Sequence, residues 1–221
     1  MTGKIIVINP NSSEYMTDAL SESVAPLRMA GGPEIECVTL AEGPPGIECA
    51  AHAAQVVDPM CALIRAREAS AGAFVVACFG DPGLHAARDA TSRPVLGMAE
   101  SSMMAALALA DNFAIISTAP ASIRGHHRHI RALGLESRFA GDAAIGIGIL
   151  DLAKDPARTL ERMIEAGRGL KEERGAEALI TGCAGMTSFR GQLQKALAVP
   201  VIEPSQAAVT LAIGAARLGY A

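Results

Sequence analysis

The sequence predicts an α/β fold of two pseudosymmetric lobes, each a mostly parallel sheet flanked by helices. Two observations support this prediction. Short β-rich runs alternate with longer helical patterns along the 221 residues, and such alternation is typical of parallel sheets with helical crossovers. The motifs of the first half also recur, in the same order, in the second half.

Eight runs read as strands because they are short, apolar and rich in β-branched residues. The predicted strands are residues 4–9, 35–40, 73–78, 94–96, 113–118, a run near 143–149, 178–183 and 199–202. Helical spacing fills the intervals between them. One example is the i, i+3, i+4, i+7 pattern of Leu160, Met163, Ile164 and Gly167.

The repeat divides the chain. The shared motifs are Pro-x-Ser at Pro10 and Pro120, Cys-x-Gly at Cys78 and Cys183, Pro-Val followed by Leu or Ile at Pro94 and Pro200, and the segments 99–102 and 205–208. We therefore predict a first lobe formed by residues 1–97 with 206–221, and a second lobe formed by residues 98–205. The two cysteines occupy equivalent places in the repeat.

Composition and charge exclude several classes of protein. The net charge is −4 and the basic residues are scattered, which gives no nucleic-acid footprint. The longest uncharged stretch, 204–216, and the apolar stretch 101–110 are both too short to span a membrane. The N-terminus carries no readable signal peptide, so a cytoplasmic protein is expected. An odd number of cysteines, five, then favours free thiols over a disulfide framework.

Neither a metal nor an organic cofactor is expected. No C-x-x-C pair is present, and the histidines do not join the cysteines at ligand spacing. His126 and His129 are interpreted as structural or surface residues. The loop after the first strand reads Pro10-Asn-Ser-Ser and not the glycine fingerprint of a dinucleotide site.

Cys78 and Cys183 are the candidate catalytic residues. Ligands of parallel α/β sheets bind beyond the carboxyl ends of the strands, so two facing lobes would present one thiol from each side. Inverting a stereogenic carbon needs a base on one face and an acid on the other, and a thiol of lowered pKa serves both roles. The competing interpretation is packing, because cysteine is a commonly buried residue; it is preferred for Cys37, Cys49 and Cys61.

Longer strings resemble a known family. Ile8-Asn-Pro-Asn-Ser12, Cys78-Phe-Gly-Asp-Pro-Gly83 and Gly182-Cys-Ala-Gly-Met186 are similar to the hydantoin racemase branch of the aspartate/glutamate racemase superfamily. The resemblance implies cofactor-independent racemisation, with Cys78 and Cys183 as the two bases in a cleft between the lobes. It also implies a substrate site lined by Asn11, Ser12, Phe79, Gly80, Ser117, Thr118, Ala184 and Gly185.

The thiol motifs favour a neutral substrate. In amino-acid racemases of the superfamily, the motifs at these two loops look like Cys-Asn-Thr and Cys-Thr-His. This chain has Cys-Phe-Gly and Cys-Ala-Gly there. A 5-monosubstituted hydantoin or the ureide allantoin therefore fits better than aspartate or glutamate. Aspartate/glutamate racemase and maleate cis–trans isomerase remain alternatives, as does a two-lobed module that binds a small ligand without catalysis. Arylmalonate decarboxylases are disfavoured because they keep one of the two cysteines.

Two further residues lie near the predicted site. The loop 42–48 is either a plain connector or a lid that contributes Ile47 to an apolar pocket. Asp81 is predicted to cap the helix that follows Cys78. We expect a small-molecule substrate, no nucleic-acid or membrane partner, and a homo-oligomer.

Overall fold

The structure, a computed structural model, describes residues 3–220. Two compact lobes make up the chain. The first comprises Met1–Ser101 and Ser205–Ala221, and the second comprises Ser102–Pro204. Each lobe contains a four-stranded parallel sheet, so the predicted α/β class and its two-lobed organisation are confirmed.

The strands of the first lobe are β1 (Lys4–Asn9), β2 (Ile35–Thr39), β3 (Ala71–Val76) and β4 (Val95–Gly97), in the spatial order β2-β1-β3-β4. The strands of the second lobe are β5 (Phe113–Ser117), β6 (Phe139–Ala144), β7 (Ala178–Thr181) and β8 (Val201–Ile202), in the order β6-β5-β7-β8. The two sheets therefore share one topology.

The helices are α1 (Glu14–Ser23), α2 (Ala50–Gln55), α3 (Val57–Arg67), α4 (Leu84–Asp89), α5 (Met98–Leu107), α6 (Pro120–Ala132), α7 (Pro156–Arg174), α8 (Arg190–Leu197) and α9 (Pro204–Leu218). The division between the lobes falls within α5. Helix α9 returns to the first lobe, where the Gln206 side chain donates to the Ser23 carbonyl at 2.9 Å.

The central strands are apolar throughout because both faces of each sheet are covered. Ile5, Ile6, Val7 and Ile8 of β1 are all fully buried. Helix α7 shows why the predicted helical pattern holds. Asp155 caps its N-terminus by accepting from the Arg158 amide, and Gly175 ends it in the left-handed conformation.

Some strand ends differ from the prediction. Strand β6 lies at Phe139–Ala144, several residues before the predicted run, because the chain turns at Gly146, which has a φ of +71°. Strands β3 and β7 stop at Val76 and Thr181. Each cysteine therefore lies two residues beyond its strand and not at the strand end.

Backbone hydrogen bonds fix how the two halves correspond. The Ala77 amide donates to the Ile8 carbonyl, and the Gly182 amide donates to the Ile116 carbonyl, both at 2.9 Å. The cysteines that follow these two amides are therefore structurally equivalent. The predicted match between the two Pro-x-Ser motifs is wrong. Pro120 begins α6, whereas Pro10 lies in the loop before α1.

Within residues 3–220, no helix combines the length and apolar character needed to cross a membrane.

Candidate active site

The first thiol loop (residues 78–82) follows β3 at the carboxyl edge of its sheet. Cys78 and Phe79 are half-buried and Gly80 is exposed. The Cys78 carbonyl accepts from the Asp81 amide at 3.0 Å, which closes a tight turn. Gly80 has a φ of +122°, a conformation that requires glycine here.

The loop after β1 lies at the same edge. Asn11 Oδ1 accepts from Asn9 Nδ2 and from the Ser13 amide, both at 3.0 Å, so the Asn11 side chain is held in place. Asn9 is 1% exposed and also donates to the Ser13 carbonyl. Because a strand-end asparagine carries no distinctive motif, the sequence did not single out Asn9.

The loop 42–48 packs directly on this turn. The Ser12 amide donates to the Pro44 carbonyl at 3.0 Å. A Cβ at Gly43 would lie 2.4 Å from the Pro10 carbonyl oxygen, so only glycine permits this approach. Ile47 is half-buried and packs against the core of the first lobe.

The prediction for Asp81 is wrong. Helix α4 begins at Leu84 behind Gly83, with no side-chain cap. The Asp81 carboxylate instead accepts from the amides of Ala99 and Glu100, at 2.9 and 2.8 Å, and so caps α5. Sequence proximity favoured the nearer helix, whereas the positive φ of Asp81, +48°, turns its side chain toward α5.

The second thiol loop (residues 183–187) follows β7 in the equivalent place. The Cys183 carbonyl accepts from the Met186 amide at 3.0 Å, as the Cys78 carbonyl does from Asp81. A 3-10 segment, Ala184–Phe189, follows at once. Ala184 and Gly185 are half-buried, whereas Cys183 is 8% exposed.

The Cys183 thiol has a perturbed acidity. Burial raises its pKa to about 11, the Gly185 amide opposes this by hydrogen bonding to sulfur, and the Glu203 carboxylate adds to the rise. This is the opposite of the lowered pKa expected from the sequence, because burial outweighs the amide, and at neutral pH the thiol form of Cys183 therefore dominates. This state suits a residue that donates a proton.

Ser117 ends β5 at this edge and Thr118 follows it, and both residues are buried. The Ser117 hydroxyl donates to the Asp142 carboxylate and lies 3.2 Å from His126 Nδ1, which in turn lies 2.7 Å from Asp142 Oδ2. His126 is thus a buried partner of Asp142, which agrees with its predicted structural role. Asp142 could not be singled out from the sequence, because its partners are distant along the chain.

A pocket of about 270 Å³ lies elsewhere in the second lobe, between the loop after β6 and the start of α7. Asp151, Lys154 and Arg158 line it, and neither cysteine does. Among the residues that the structure describes, no three His, Cys, Asp or Glu side chains form a group able to hold a metal ion.

Each predicted site residue therefore lies at the carboxyl edge of its own sheet or in a loop packed there. The first lobe brings together Asn11, Ser12, Ile47, Cys78, Phe79 and Gly80, and the second brings together Ser117, Thr118, Cys183, Ala184 and Gly185. Each lobe thus presents one cysteine beside main-chain amides. Such an edge is suited to binding a small ligand.

Known proteins match this chain along nearly its whole length. A family model described as Asp/Glu/Hydantoin racemase matches residues 5–212. A hydantoin racemase from Rhizobium meliloti is 37% identical over 98% of this chain and 90% of its own length, and one from Paenarthrobacter aurescens is 35% identical over 98% and 92%. The solved structure of an allantoin racemase from Klebsiella pneumoniae has a TM-score of 0.91 and 36% identity, covering 99% of this chain and 89% of that one.

Proposed function

The chain belongs to the Asp/Glu/hydantoin racemase family, and from this premise we propose that it racemises 5-monosubstituted hydantoins or allantoin with Cys78 and Cys183 as its two acid–base groups. The observation that carries the proposal is the equivalence of the two thiols. Each lies two residues beyond the third strand of its lobe, with a matching turn after it. A packing role gives no reason for that equivalence.

The reaction requires no group beyond these thiols and main-chain donors. A thiolate takes the proton from C5, and the C5–H electron pair moves toward the adjacent carbonyl, giving an enolate. The opposite thiol then donates its proton to the other face of C5. Amides near the glycines of the thiol loops would stabilise the enolate oxygen.

The environments of the thiols suggest their resting states. Cys183 is buried and its pKa is raised to about 11, so it rests as the thiol. In this state it serves as the acid for the enantiomer whose C5 proton is removed by Cys78. Cys78 is half-buried and would serve as the base. The roles reverse for the opposite enantiomer.

Two observations support the proposed substrate class. The relatives named above are hydantoin and allantoin racemases, whose substrates share one cyclic ureide ring. The thiol loops carry Phe79, Gly80, Ala184 and Gly185, which supply no charged side chain for a free carboxylate or ammonium group. A neutral ring held by main-chain groups suits such loops.

The direct test is racemisation in D2O. Enantiopure 5-substituted hydantoins and allantoin are incubated with chelator-treated enzyme, and optical rotation and deuterium at C5 are followed. We expect both loss of rotation and incorporation of one deuterium at C5. The Cys78→Ser/Cys183→Ser double variant is the control and should do neither, because a serine hydroxyl is too weak an acid to replace a thiol. An enzyme that leaves the whole substrate panel unchanged, or that converts maleate through a cysteine adduct, would contradict the proposal.

A further inference from the structure

Each lobe contains a buried carboxylate beside its thiol loop. Asp81, in the first thiol loop, is 6% exposed, and Glu203, immediately after β8, is 1% exposed. Buried carboxylates are costly unless they are hydrogen-bonded. The contacts of these two residues therefore indicate what each one holds in place.

Asp81 joins the first thiol loop to the start of α5. Its carboxylate accepts from the amides of Ala99 and Glu100, while its own amide donates to the Cys78 carbonyl. One residue thus connects the cysteine to the β4–α5 junction. Charged acceptors at a helix N-terminus make strong hydrogen bonds.

Glu203 joins the second thiol loop to the β8–α9 junction. The Thr187 hydroxyl lies 3.1 Å from Glu203 Oε1 and 2.7 Å from the Ala184 carbonyl oxygen. The carboxylate therefore reaches, through one side chain, the residue next to Cys183. The connection is the same as in the first lobe, although it is built from different residues.

The two carboxylates occupy exchanged positions of the repeat. In the first sheet Val76, two residues before Cys78, pairs with Gly97. In the second sheet Ile180, three residues before Cys183, pairs with Ile202, so the residue after Ile202 is the one that matches Gly97. Phe74 pairs with Val95 as Leu179 pairs with Val201, so Gly97 corresponds to Glu203. The matching turns make Met186 the counterpart of Asp81. The acidic residue thus lies on the thiol loop in one lobe and after the last strand in the other.

The geometry of the first lobe explains why only one of the two positions is acidic. A Cβ at Gly97 would lie 2.3 Å from Asp81 Oδ2 and 2.4 Å from its Cγ. The Asp81 carboxylate therefore fills the space that a side chain at position 97 would need. In the second lobe the position that corresponds to Gly97 carries Glu203. The loop residue that corresponds to Asp81 is the apolar Met186, which leaves room for that side chain.

We propose that Asp81 and Glu203 have the same role in their two lobes. Each is a positioning residue that holds one cysteine loop against the junction between the last strand of that lobe and the next helix, β4–α5 for Asp81 and β8–α9 for Glu203. Each thiol is thus positioned by one carboxylate, and the two carboxylates come from different positions of the repeat. This inference rests on the proposed function only in assigning catalysis to the thiols. The positioning itself is testable without turnover.

The test moves the carboxylate of the first lobe to the position used by the second. Asp81→Gly removes the carboxylate and tolerates the positive φ. Gly97→Glu alone collides with Asp81. Pro82 is the counterpart of Thr187 and has no hydroxyl, so the triple variant Asp81→Gly/Pro82→Thr/Gly97→Glu returns one carboxylate from the other side together with the hydroxyl that it needs. Alkylation of each cysteine by iodoacetamide is followed by mass spectrometry, together with C5 exchange of each hydantoin enantiomer in D2O. The alkylation rate of exposed Cys49 shows whether the reagent was equally active in each sample. The alkylation rate of Cys61, which is buried in the same lobe, reports unfolding.

We expect Asp81→Gly to speed alkylation of Cys78 and to lower exchange by about tenfold or more, since small displacements of a catalytic group have large effects. Cys49, Cys61 and Cys183 should react as in the parent. The triple variant should recover both properties toward the parent. Thr187→Val, which breaks the second connection, should speed alkylation of Cys183 and leave Cys78 unchanged.

Two results would overturn the inference: parental behaviour of Cys78 in folded Asp81→Gly, or a folded triple variant no better than Asp81→Gly. If Asp81→Gly unfolds, as shown by fast alkylation of Cys61, Asp81→Asn replaces it. Asparagine tolerates a positive φ and keeps one acceptor, so an effect in the same direction but smaller is expected, and none would refute the role. A parent enzyme that shows no exchange would refute the proposed function, while the alkylation rates would still decide this inference.

Discussion

Cys183 shows how the environment of one residue can decide its chemistry. Its side chain is buried among apolar neighbours that include Met186 and Leu152, and burial disfavours the thiolate. The Gly185 amide favours the thiolate but does not outweigh burial and the nearby Glu203 carboxylate. The balance leaves a proton on Cys183 well above neutral pH.

This balance predicts a specific pH dependence of stability. In the unfolded chain Cys183 ionises near its ordinary pKa of 9, whereas in the folded protein it keeps its proton until about 11. Between these values the unfolded state binds fewer protons, so stability falls as pH rises. Two pKa units correspond to about 3 kcal/mol as an upper value.

The measurement is urea unfolding of the wild type and of Cys183→Ala at several pH values from 8 to 11. The difference between the two proteins isolates Cys183 from the other groups that titrate in this range. We expect the wild type to lose stability more steeply than the variant above pH 9. Parallel pH profiles would show that the Cys183 thiol is not perturbed.

At the scale of one element, helix α7 carries two interior glycines in opposite environments. A Cβ at Gly167 would lie 2.5 Å from Leu197 Cδ1 and 3.2 Å from Leu179 Cδ1, because α7 packs closely on both α8 and the sheet there. A Cβ at Gly169 would have Glu173 Oε1 as its nearest neighbour, at 3.9 Å. The first glycine is needed for packing and the second is not.

Alanine substitutions at these two positions should therefore act with opposite sign. Gly169→Ala should stabilise the protein by about 0.5–1 kcal/mol, the helix-propensity gain. Gly167→Ala makes the same gain but adds overpacking, which costs about 1–3 kcal/mol, so net destabilisation is expected. Thermal and urea unfolding of both variants provide the measurement, and a stabilised Gly167→Ala would show that Leu197 moves aside at little cost.

At the scale of the whole molecule, the repeat assigns one cysteine to each lobe, and the proposed reaction needs both. If each thiol serves one face of C5, Cys78→Ser and Cys183→Ser should each abolish racemisation. A single remaining thiol can still remove and return a proton on its own face. We therefore expect one variant to exchange only the D-substrate in D2O and the other only the L-substrate.

Nuclear magnetic resonance of each enantiopure hydantoin gives both readouts at once, because it follows loss of the C5 proton while polarimetry follows configuration. Cys37→Ser serves as the matched control and should retain full racemisation. Near-normal racemisation by either catalytic variant, or exchange of the same enantiomer by both, would rule out one base per face.

Much of the fold, and both candidate thiols, could be predicted from the residues alone. Alternating apolar runs predicted the parallel strands, because strands covered on both faces must be apolar along their length. The repeated Cys-x-Gly motif identified Cys78 and Cys183 as equivalent, and their backbone turns confirm that equivalence. The hydantoin racemase resemblance was confirmed by the family and its relatives, since long strings around both thiols carry it.

The contacts between polar side chains, in contrast, could not be predicted before the fold was known. Asp81 was expected to cap the adjacent α4, yet it caps α5, because the pairing of β3 with β4 brings that helix start beside the thiol loop. The Ser117–Asp142–His126 cluster and the exchange of acidic positions between Asp81 and Glu203 were equally invisible. Side-chain hydrogen bonds between residues distant in sequence depend on strand order and register, and a local pattern of residues encodes neither.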